Sequence, residues 1–219
     1  MTAMPGEFPA REAIAPNCLA ERILTAAAEE CTLVGVKHIT IADIARRAEV
    51  DVDSVYEQWR SVGELVVAVV IRDLQQRIDA MAKLIRAQRT LDDKIVEAFA
   101  SMHWFLDSHP MVGGTLRSDA DIILATEQTS VSAVITIAAR LLVESVGGAV
   151  RDDSGMALDI EPLEEVTTRL IQSLLLAPTL SQPMSTRADV ARYARRCFVP
   201  LVRAMRRPDL DDPSTGAVP

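Results

Sequence analysis

Apolar residues recur at intervals of three and four along most of the chain, the spacing that places side chains on one face of an α-helix. The first such stretch follows Asn17, whose side chain can cap a helix, and ends at Gly35, which suits a helix C-terminus. Its apolar face consists of Leu19, Ile23, Ala26, Ala27 and Val34. The pattern therefore predicts a first helix between Asn17 and Gly35.

Two later segments begin with a hydroxyl residue that is followed, three positions on, by a carboxylate. Thr40 precedes Asp43, and Ser61 precedes Glu64, as in a capping box. They predict a short helix that ends near residue 47 and a long helix that ends near residue 88. Residues 48–50 form a turn, and Asp51 caps a second short helix that runs to about residue 59. Three helices with a short middle one and a three-residue turn are typical of a helix-turn-helix head.

The rest of the chain continues the helical spacing, without strand-like alternation or repeats. Helices are predicted over about residues 91–108, 111–117, 121–146, 162–177 and 186–205, with a loop over residues 147–160. The fold class is therefore all-α, with an N-terminal three-helix head joined to a C-terminal helical domain. The expected organisation is a flexible arm at 1–16, the head at 17–62, the helical domain at 63–207 and a disordered tail at 208–219.

Composition narrows the class of protein. The chain has 219 residues, 49% of them hydrophobic, and a formal net charge of −8, so bulk charge does not favour coating of nucleic acid. The apolar run Leu65–Ile71 stops at Arg72, far short of the roughly 18 residues of a membrane span, and no signal peptide is evident. The cysteines, which form no CxxC pair, are Cys18, Cys31 and Cys197. We expect a cytoplasmic protein with reduced thiols and no membrane partner.

Residues 19–66 resemble the tetracycline-repressor (TetR) family of bacterial transcription regulators. The resemblance rests on Arg22-Ile23-Leu24, Ala26-Ala27, Gly35, Thr40, Asp43-Ile44-Ala45, Arg47-Ala48, Val50, Ser54-Val55-Tyr56, Trp59, Ser61 and Leu65. These residues occur in register without gaps. The remaining four-fifths of the chain is similar to the family only in its helical architecture and length.

The resemblance implies that the head binds double-stranded DNA. Thr40, Ser54, Tyr56 and Gln58 would contact phosphates or bases, Val52 and Asp53 would face base edges, and Lys37, Arg46 and Arg60 would be nearby donors. The chain departs from the family at Glu49, where the turn usually has Gly, and at Val62, where a phosphate-binding Lys is usual. Asp53 and Glu57 also place carboxylates near phosphates. An alternative is therefore a small-molecule sensor or partner-binding protein whose degenerate head binds DNA weakly or not at all.

The family pairs such a head with a helical domain that binds a ligand. The densest aromatic segment of the chain, within residues 99–106, is the candidate for one wall of an effector site. The candidate ligand-binding residues are Phe99, Met102, His103, Trp104 and Leu106 on this segment, with Ile123, Thr126, Val134, Ile137 and Leu141 on the facing wall. Their composition favours a small hydrophobic effector. An ordinary apolar core is the alternative interpretation.

The last two predicted helices carry apolar residues at helical spacing. They are Leu163, Val166, Leu170 and Leu174 on one, and Val190, Tyr193, Cys197 and Leu201 on the other. Packing both against a second copy would give a homodimer with a four-helix interface. The arginines of the final helix then have Glu161, Glu164 and Glu165 as possible partners, or they form a solvated face.

Catalytic signatures are missing from the sequence. It contains no Gly-rich phosphate loop, no Gly-x-Ser-x-Gly and no His-Glu-x-x-His motif. His103 and Asp107 share a helical face, but no cysteine lies nearby, so we expect no metal site and no cofactor. The resulting hypothesis is a ligand-responsive transcriptional repressor, not an enzyme, that is released from its operator by a hydrophobic effector.

Overall fold

The computed structural model describes residues 18–114, 128–154, 156–176 and 184–208. The head is formed by α1 (Cys18–Val34), α2 (Ile41–Ala48) and α3 (Val52–Tyr56). Its interior is aliphatic and includes the fully buried Ile23, Ile44 and Val55. Gly35 ends α1 with φ 81°, and its amide donates to the carbonyl of Cys31 at 2.8 Å. Val34, which was predicted on the apolar face, is 43% exposed, because it lies in the last turn beside this cap.

The helical domain is longer and less regular. Its helices are α4 (Val62–Arg86), α5 (Leu91–Ser108), α6 (Gln128–Ser154), α7 (Ile160–Leu176), α8 (Arg187–Tyr193) and α9 (Val199–Ala204). A π-helical turn at Pro110–Gly114 follows α5, and a second one at Ala194–Phe198 joins α8 to α9. Two short strands, β1 (Met156–Leu158) and β2 (Arg206–Pro208), pair antiparallel with Met156 opposite Pro208.

The helix α6 lies at the centre of this domain. It packs against α4, α5 and α7, while α5 also receives α8 and the second π-helical turn. The helix α4 contacts α1 of the head as well as α5 and α6. Together with the first π-helical turn, which also contacts α1, it connects the head to the core of the helical domain.

The predicted all-α architecture is confirmed, and the bounds of α5 agree with the predicted 91–108. The predicted end of the next helix near residue 146 is wrong, because α6 continues through Gly147 and Gly148 to Ser154. Val146 and Val150 are both buried, so the apolar face of the helix extends across the two glycines. A Cβ on Gly147 would lie 3.5 Å from the Ile160 side chain, so α7 begins close to α6 at this point.

The paired strands were not predicted. Strands of three residues carry too few positions for an alternating pattern to be detected. The predicted tail begins at residue 208, but Pro208 belongs to β2, which is held by β1. The amide of Asp159 also donates to the carbonyl of Met205 at 2.9 Å, so the C-terminal end of α9 is tied to the start of α7.

The last helix was predicted to be continuous from 186 to 205. The π-helical turn interrupts it and changes which residues face the core. The buried residues are Val190, Ala194, Phe198, Val199 and Val202. Cys197, which regular helical spacing placed on the apolar face, is exposed instead.

The segment Ser132–Asp152 of α6 is long and apolar enough to cross a membrane, with a mean hydropathy of 1.7. No unbroken apolar run marks this segment in the sequence, because polar residues are scattered through it. Val134, Ile135, Ala138 and Leu142 are buried in the core that α6 forms with its neighbours. A core helix with such neighbours accounts for the same hydropathy.

Candidate DNA interface and effector site

The turn between α2 and α3 fixes how the two helices are oriented. Glu49 adopts the left-handed conformation with φ 54° and ψ 49°, as its place in the family's glycine position implied. The amide of Val50 donates to the carbonyl of Ala45 at 3.0 Å. Arg22 of α1 donates to the carbonyls of Ala48 at 2.6 Å and of Glu49 at 3.2 Å. The turn is therefore held by one backbone hydrogen bond and by two hydrogen bonds from the Arg22 side chain.

The helix α3 presents a mixed surface. Val55 is fully buried and anchors the helix in the head. Val52 is 39% exposed and Tyr56 is 50% exposed, so both are available to a partner. Asp53 and Glu57 are exposed beside them. Asp51 stands at the N-cap with extended backbone but makes no side-chain capping bond, and α3 ends at Tyr56, three residues before the predicted end.

The other candidate DNA contacts flank α3. Lys37, Thr40, Arg46, Gln58 and Arg60 are exposed, and Ser54 is half-buried. At the start of α2, the Thr40 hydroxyl donates to the Asp43 carboxylate at 2.5 Å and accepts the Asp43 amide at 3.1 Å. Arg46 donates to the same carboxylate at 2.6 Å. Hydrogen bonds from Thr40 and Arg46 hold the pKa of Asp43 below its usual value. This trio is prearranged, with the Arg46 side chain still 72% exposed.

Arg47 faces the other way. Its guanidinium pairs with Glu30 of α1, whose side chain is only 10% exposed, and lies 3.5 Å from Glu29. The pKa of Arg47 is raised by the hydrogen bond to Glu30. Arg47 thus joins α1 to α2, whereas Arg46 stays on the solvent side.

The start of α4 differs from the predicted capping box. The Ser61 hydroxyl accepts the Glu64 amide at 3.2 Å, as predicted, but the Glu64 carboxylate accepts the Arg60 amide at 2.8 Å. Val62 and Trp59 are half-buried and pack against the core. Trp59 is therefore a packing residue, and Val62 packs at the position where the family usually has a phosphate-binding lysine.

The predicted effector residues on α5 do not form one surface. Phe99, Met102, His103 and Leu106 are buried together on the inner face. Trp104 is 38% exposed, because it follows His103 by one residue and so points about 100° away around the helix. Its assignment to the same wall is a correction to the sequence analysis. On the facing wall Val134 is buried and Ile137 and Leu141 are half-buried, while Ile123 and Thr126 lie outside the described residues.

His103 is 3% exposed, and neither of its ring nitrogens has a hydrogen-bond partner among the described residues. Burial holds the pKa of His103 below its usual value, although the charge of Asp107 acts in the opposite direction. The imidazole is therefore neutral near pH 7. Thr167 of α7 is also fully buried, and its hydroxyl is likewise without a partner there.

An aromatic cluster surrounds this part of α5. The ring of Phe99 lies 4.8 Å from Phe198, 6.3 Å from Tyr193 and 6.4 Å from His103, measured between centroids. The apolar spacing of the sequence did not indicate Phe198, and it placed Tyr193 on the predicted dimer face. The π-helical turn at 194–198 is what brings Phe198 inward, and no pattern in the sequence indicated that turn.

The structure also divides the predicted dimer face. Leu163 and Val190 are fully buried within the subunit, so they are corrected from interface to core. Val166, Leu170, Leu174, Tyr193 and Leu201 are half-buried and Cys197 is exposed. A half-buried stripe on α7, made of Val166, Leu170 and Leu174, therefore remains for a partner.

Three arginines of the C-terminal segment pair with α5 and not with the glutamates of α7, whereas Arg192 pairs with Asp189 at 3.1 Å. Arg195 lies 2.5 Å from Asp93, and Arg203 lies 2.6 Å from Asp92. Arg187 pairs with Glu97 and donates to Ser101 at 2.9 Å. The hydrogen bond from Arg195 contributes most to a lowered pKa of Asp93. These pairs link α5 to α8, to the second π-helical turn and to α9.

A polar chain crosses the junction between the head and the helical domain. Arg72 of α4 donates to Thr25 of α1 at 3.2 Å and pairs with Asp73 at 2.9 Å. His109 Nε2 lies 3.3 Å from the other oxygen of Asp73, and His109 Nδ1 accepts the Met111 amide at 3.2 Å. Burial opposes ionisation of Asp73, but the hydrogen bonds from His109 and Arg72 outweigh it and lower its pKa. A crevice of about 250 Å³ adjoins these groups.

Comparisons with known proteins agree on the class of molecule. Residues 23–69 match the family model described as bacterial regulatory proteins, tetR family. An uncharacterized HTH-type transcriptional regulator of Mycobacterium bovis is 27% identical over 140 residues, which make up 63% of this chain and 72% of that protein.

Solved structures share the fold at low sequence identity. RolR without ligand has a TM-score of 0.55 at 17% identity, covering 80% of this chain and 88% of RolR. The TetR family repressor AlkX from Dietzia sp. has a TM-score of 0.55 at 10% identity, covering 85% of this chain and 96% of AlkX. FadR from Bacillus subtilis, in complex with stearoyl-CoA, has a TM-score of 0.51 at 14% identity, covering 83% of this chain and 97% of FadR.

Proposed function

The chain is a TetR-family transcriptional regulator, and we propose that it is a cytoplasmic, homodimeric repressor that a small hydrophobic effector releases from its operator. The observation that carries the proposal is the surface of the head. Val52 and Tyr56 project from α3 beside the capped start of α2, where Thr40 and Arg46 are held by Asp43. This is the face that a helix-turn-helix head turns towards the major groove.

The chemistry of this face sets what it can read. Val52 can contact the methyl group of thymine, and the Tyr56 hydroxyl can reach a phosphate. Asp53 can accept a hydrogen bond from cytosine N4 but repels phosphates. With Val62 in place of a lysine, the head makes few phosphate contacts. Affinity should therefore fall only gently with salt, because each phosphate contact contributes about 0.9 to the slope of log affinity against log salt.

The effector is proposed to bind in the core of the helical domain. Phe99, Met102 and Leu106 make this region apolar. Two proteins of the same fold support a hydrophobic effector: FadR was solved with stearoyl-CoA, and AlkX is implicated in biodegradation of n-alkanes. An effector that binds more tightly to the dimer conformation with one particular spacing of the two heads shifts the population towards that conformation. The helix α4 contacts both domains and transmits the change.

The dimer is proposed to form through the stripe of Val166, Leu170 and Leu174. Leu170→Glu places a charge in this stripe, and Ser173→Glu places the same charge on an exposed position one turn further along α7. We expect monomers from the first variant and dimers from the second, measured by light scattering at micromolar concentration. Dimers from both variants would contradict this interface.

DNA binding is tested by incubating the full-length protein with sheared genomic DNA at physiological salt and sequencing the retained fragments. We expect a small set of fragments that bind at least 1000-fold more tightly than random DNA, an order typical of specific recognition. Tyr56→Phe should weaken binding to these fragments, whereas Trp59→Phe, at a packing position, serves as the matched control. Val62→Lys should tighten binding to any DNA and steepen the salt slope by about one.

The exposed Asp53 and Glu57 favour a second candidate function, a sensor or partner-binding protein with a degenerate head. The two functions give different results with Asp53→Asn. If Asp53 only repels DNA, the variant binds every sequence more tightly. If Asp53 reads a base, discrimination is lost at one position of the operator. Retention of no fragment above random DNA would favour the second function and contradict the repressor.

A further inference from the structure

Two buried histidines in this chain have opposite environments. His109 is 7% exposed, and both of its ring nitrogens are used, one near the Asp73 carboxylate and the other by the Met111 amide. His103 is 3% exposed, and both of its ring nitrogens lack a partner among the described residues. Buried polar groups in folded proteins are almost always hydrogen-bonded, so an exception calls for an explanation. The hydrogen bonds of His109 account for its burial as a structural residue. No hydrogen bond among the described residues accounts for the burial of His103.

The neighbours of His103 on the inner face of α5 are apolar. Phe99 lies one turn before it at 6.4 Å, and Met102 and Leu106 are buried on the same face. The charged residue that acts on His103 is Asp107, one turn further on. Because burial keeps the imidazole neutral, it offers one donor and one acceptor and no charge.

The Thr167 hydroxyl adds a second unused group to the core of the same domain. Threonines in these helices usually donate to the carbonyl four residues earlier, as Thr168 does to Glu164 at 2.8 Å and Thr136 does to Ser132 at 2.9 Å. Thr167 is fully buried and makes no such bond. The two buried residues with unused side-chain groups, His103 and Thr167, therefore both offer neutral groups, an imidazole and a hydroxyl. The Nε atom of the half-buried Arg206 in β2 also lacks a partner among the described residues.

We propose that the His103 imidazole is the polar anchor of the effector site, and that the effector is an apolar molecule with one uncharged hydrogen-bonding group, a hydroxyl or a carbonyl. The proposal rests on the proposed function, since it assumes that the effector binds in this core. An effector hydroxyl or carbonyl satisfies the imidazole and leaves the core uncharged. A carboxylate would instead be buried close to the negative charge of Asp107, which opposes its binding.

Three compounds with the same chain length test the class of head group: 1-octanol, 2-octanone and octanoate. Binding to the full-length protein is measured by calorimetry and by the shift in melting temperature. We expect octanol and octanone to bind at least tenfold more tightly than octanoate. Tighter binding of octanoate would overturn the proposed class of effector.

Variants at the two histidines test the anchor itself. His103→Phe keeps a ring of similar size but removes both nitrogens, so octanol and octanone should lose at least tenfold in affinity. His103→Gln keeps a donor and an acceptor and should restore part of this loss. Unchanged affinity in His103→Phe would refute the anchor while leaving a hydrophobic effector in place. If none of the three compounds binds the wild type, the hydrophobic effector site itself is contradicted.

The ligand-free protein provides a readout that requires no compound. His103→Phe should raise the melting temperature, because it replaces two unsatisfied polar atoms by apolar ones. His109→Phe should lower it, because it removes the hydrogen bonds that His109 makes with the Asp73 carboxylate and the Met111 amide. Equal lowering by both variants would show that His103 has a structural role like that of His109, and the proposal would fall.

Discussion

In the head, the polar groups around α2 are hydrogen-bonded to one another: Thr40 and Arg46 bind Asp43, and Arg47 pairs with Glu30. In the helical domain, His103 and Thr167 are buried with no partner among the described residues. The head and the helical domain also differ in the regularity of their helices. Both π-helical turns of the described chain, at 110–114 and 194–198, also lie in the helical domain.

The head and the helical domain therefore differ in how their polar groups are satisfied, and the proposed functions of the two regions suggest why. A surface that reads DNA has to present its groups in one arrangement, and internal hydrogen bonds hold that arrangement in place. A core that accepts an effector has to exchange contacts within the protein for contacts with the ligand. Under the proposed function, the unused groups of His103 and Thr167 are available to a ligand, and π-helical turns are often found at functional sites.

The largest expected effect tests how densely the helical domain is packed. Phe99 is fully buried and contacts Phe198 and Tyr193, so Phe99→Ala should lower the free energy of unfolding by about 3–5 kcal/mol. Urea denaturation measures this loss. A loss below about 1 kcal/mol would mean that the region already contains open space and would sharpen the contrast with the head.

The junction between the two regions should respond to acid through Asp73. Its pKa is lowered in the folded protein, so its contribution to stability is complete above the unfolded pKa of about 4 and is lost as the pH falls through the lower folded value. We expect Asp73→Asn to cost about 1 kcal/mol at pH 7 and less at pH 3, which lies below the unfolded pKa. Denaturation curves at both pH values measure this. The same cost at both would show that ionisation of Asp73 does not matter.

A matched pair of helix caps separates stability from DNA binding. Thr40 and Thr90 each accept the amide of an aspartate at 3.1 Å and donate to its carboxylate, at 2.5 and 2.6 Å. Thr40→Ala and Thr90→Ala should each lower the free energy of unfolding by about 1 kcal/mol. The first variant alone should weaken DNA binding, measured by fluorescence anisotropy. Equal affinities would remove Thr40 from the DNA interface.

The smallest expected effect concerns the turn of the head. Glu49→Gly removes the steric cost of the left-handed conformation, which is about 1 kcal/mol, but adds freedom to the unfolded chain. We expect a net gain of about 0.5 kcal/mol in the free energy of unfolding. The hydrogen bond from Arg22 to residue 49 is made to the backbone and is retained. A loss of stability would show that the Glu49 side chain makes a contact that matters to the head.

Much of the head could be predicted from the sequence. Its caps and its turn depend on residues that are close together in the chain. Examples are the hydrogen bonds of the N-caps at Thr40 and Ser61 and the left-handed backbone of Glu49. The exposure of Tyr56 and the packing of Trp59 follow from the same short segment. The helical domain was predicted less well, because its periodic apolar residues indicate a buried face but not the helix that covers it.

The sequence by itself therefore determined the all-α fold, the helix-turn-helix head with its caps and turn, and the bounds of α5, since nearest neighbours along the chain decide these features. Only the tertiary structure decided that Leu163 and Val190 belong to the subunit core, that Trp104 faces outward, and that Asp73 meets His109. It also decided that His103 is buried without a partner among the described residues. The reason is physical: these outcomes depend on how helices distant in sequence pack, and a π-helical turn can change that packing without leaving a signal in the apolar spacing.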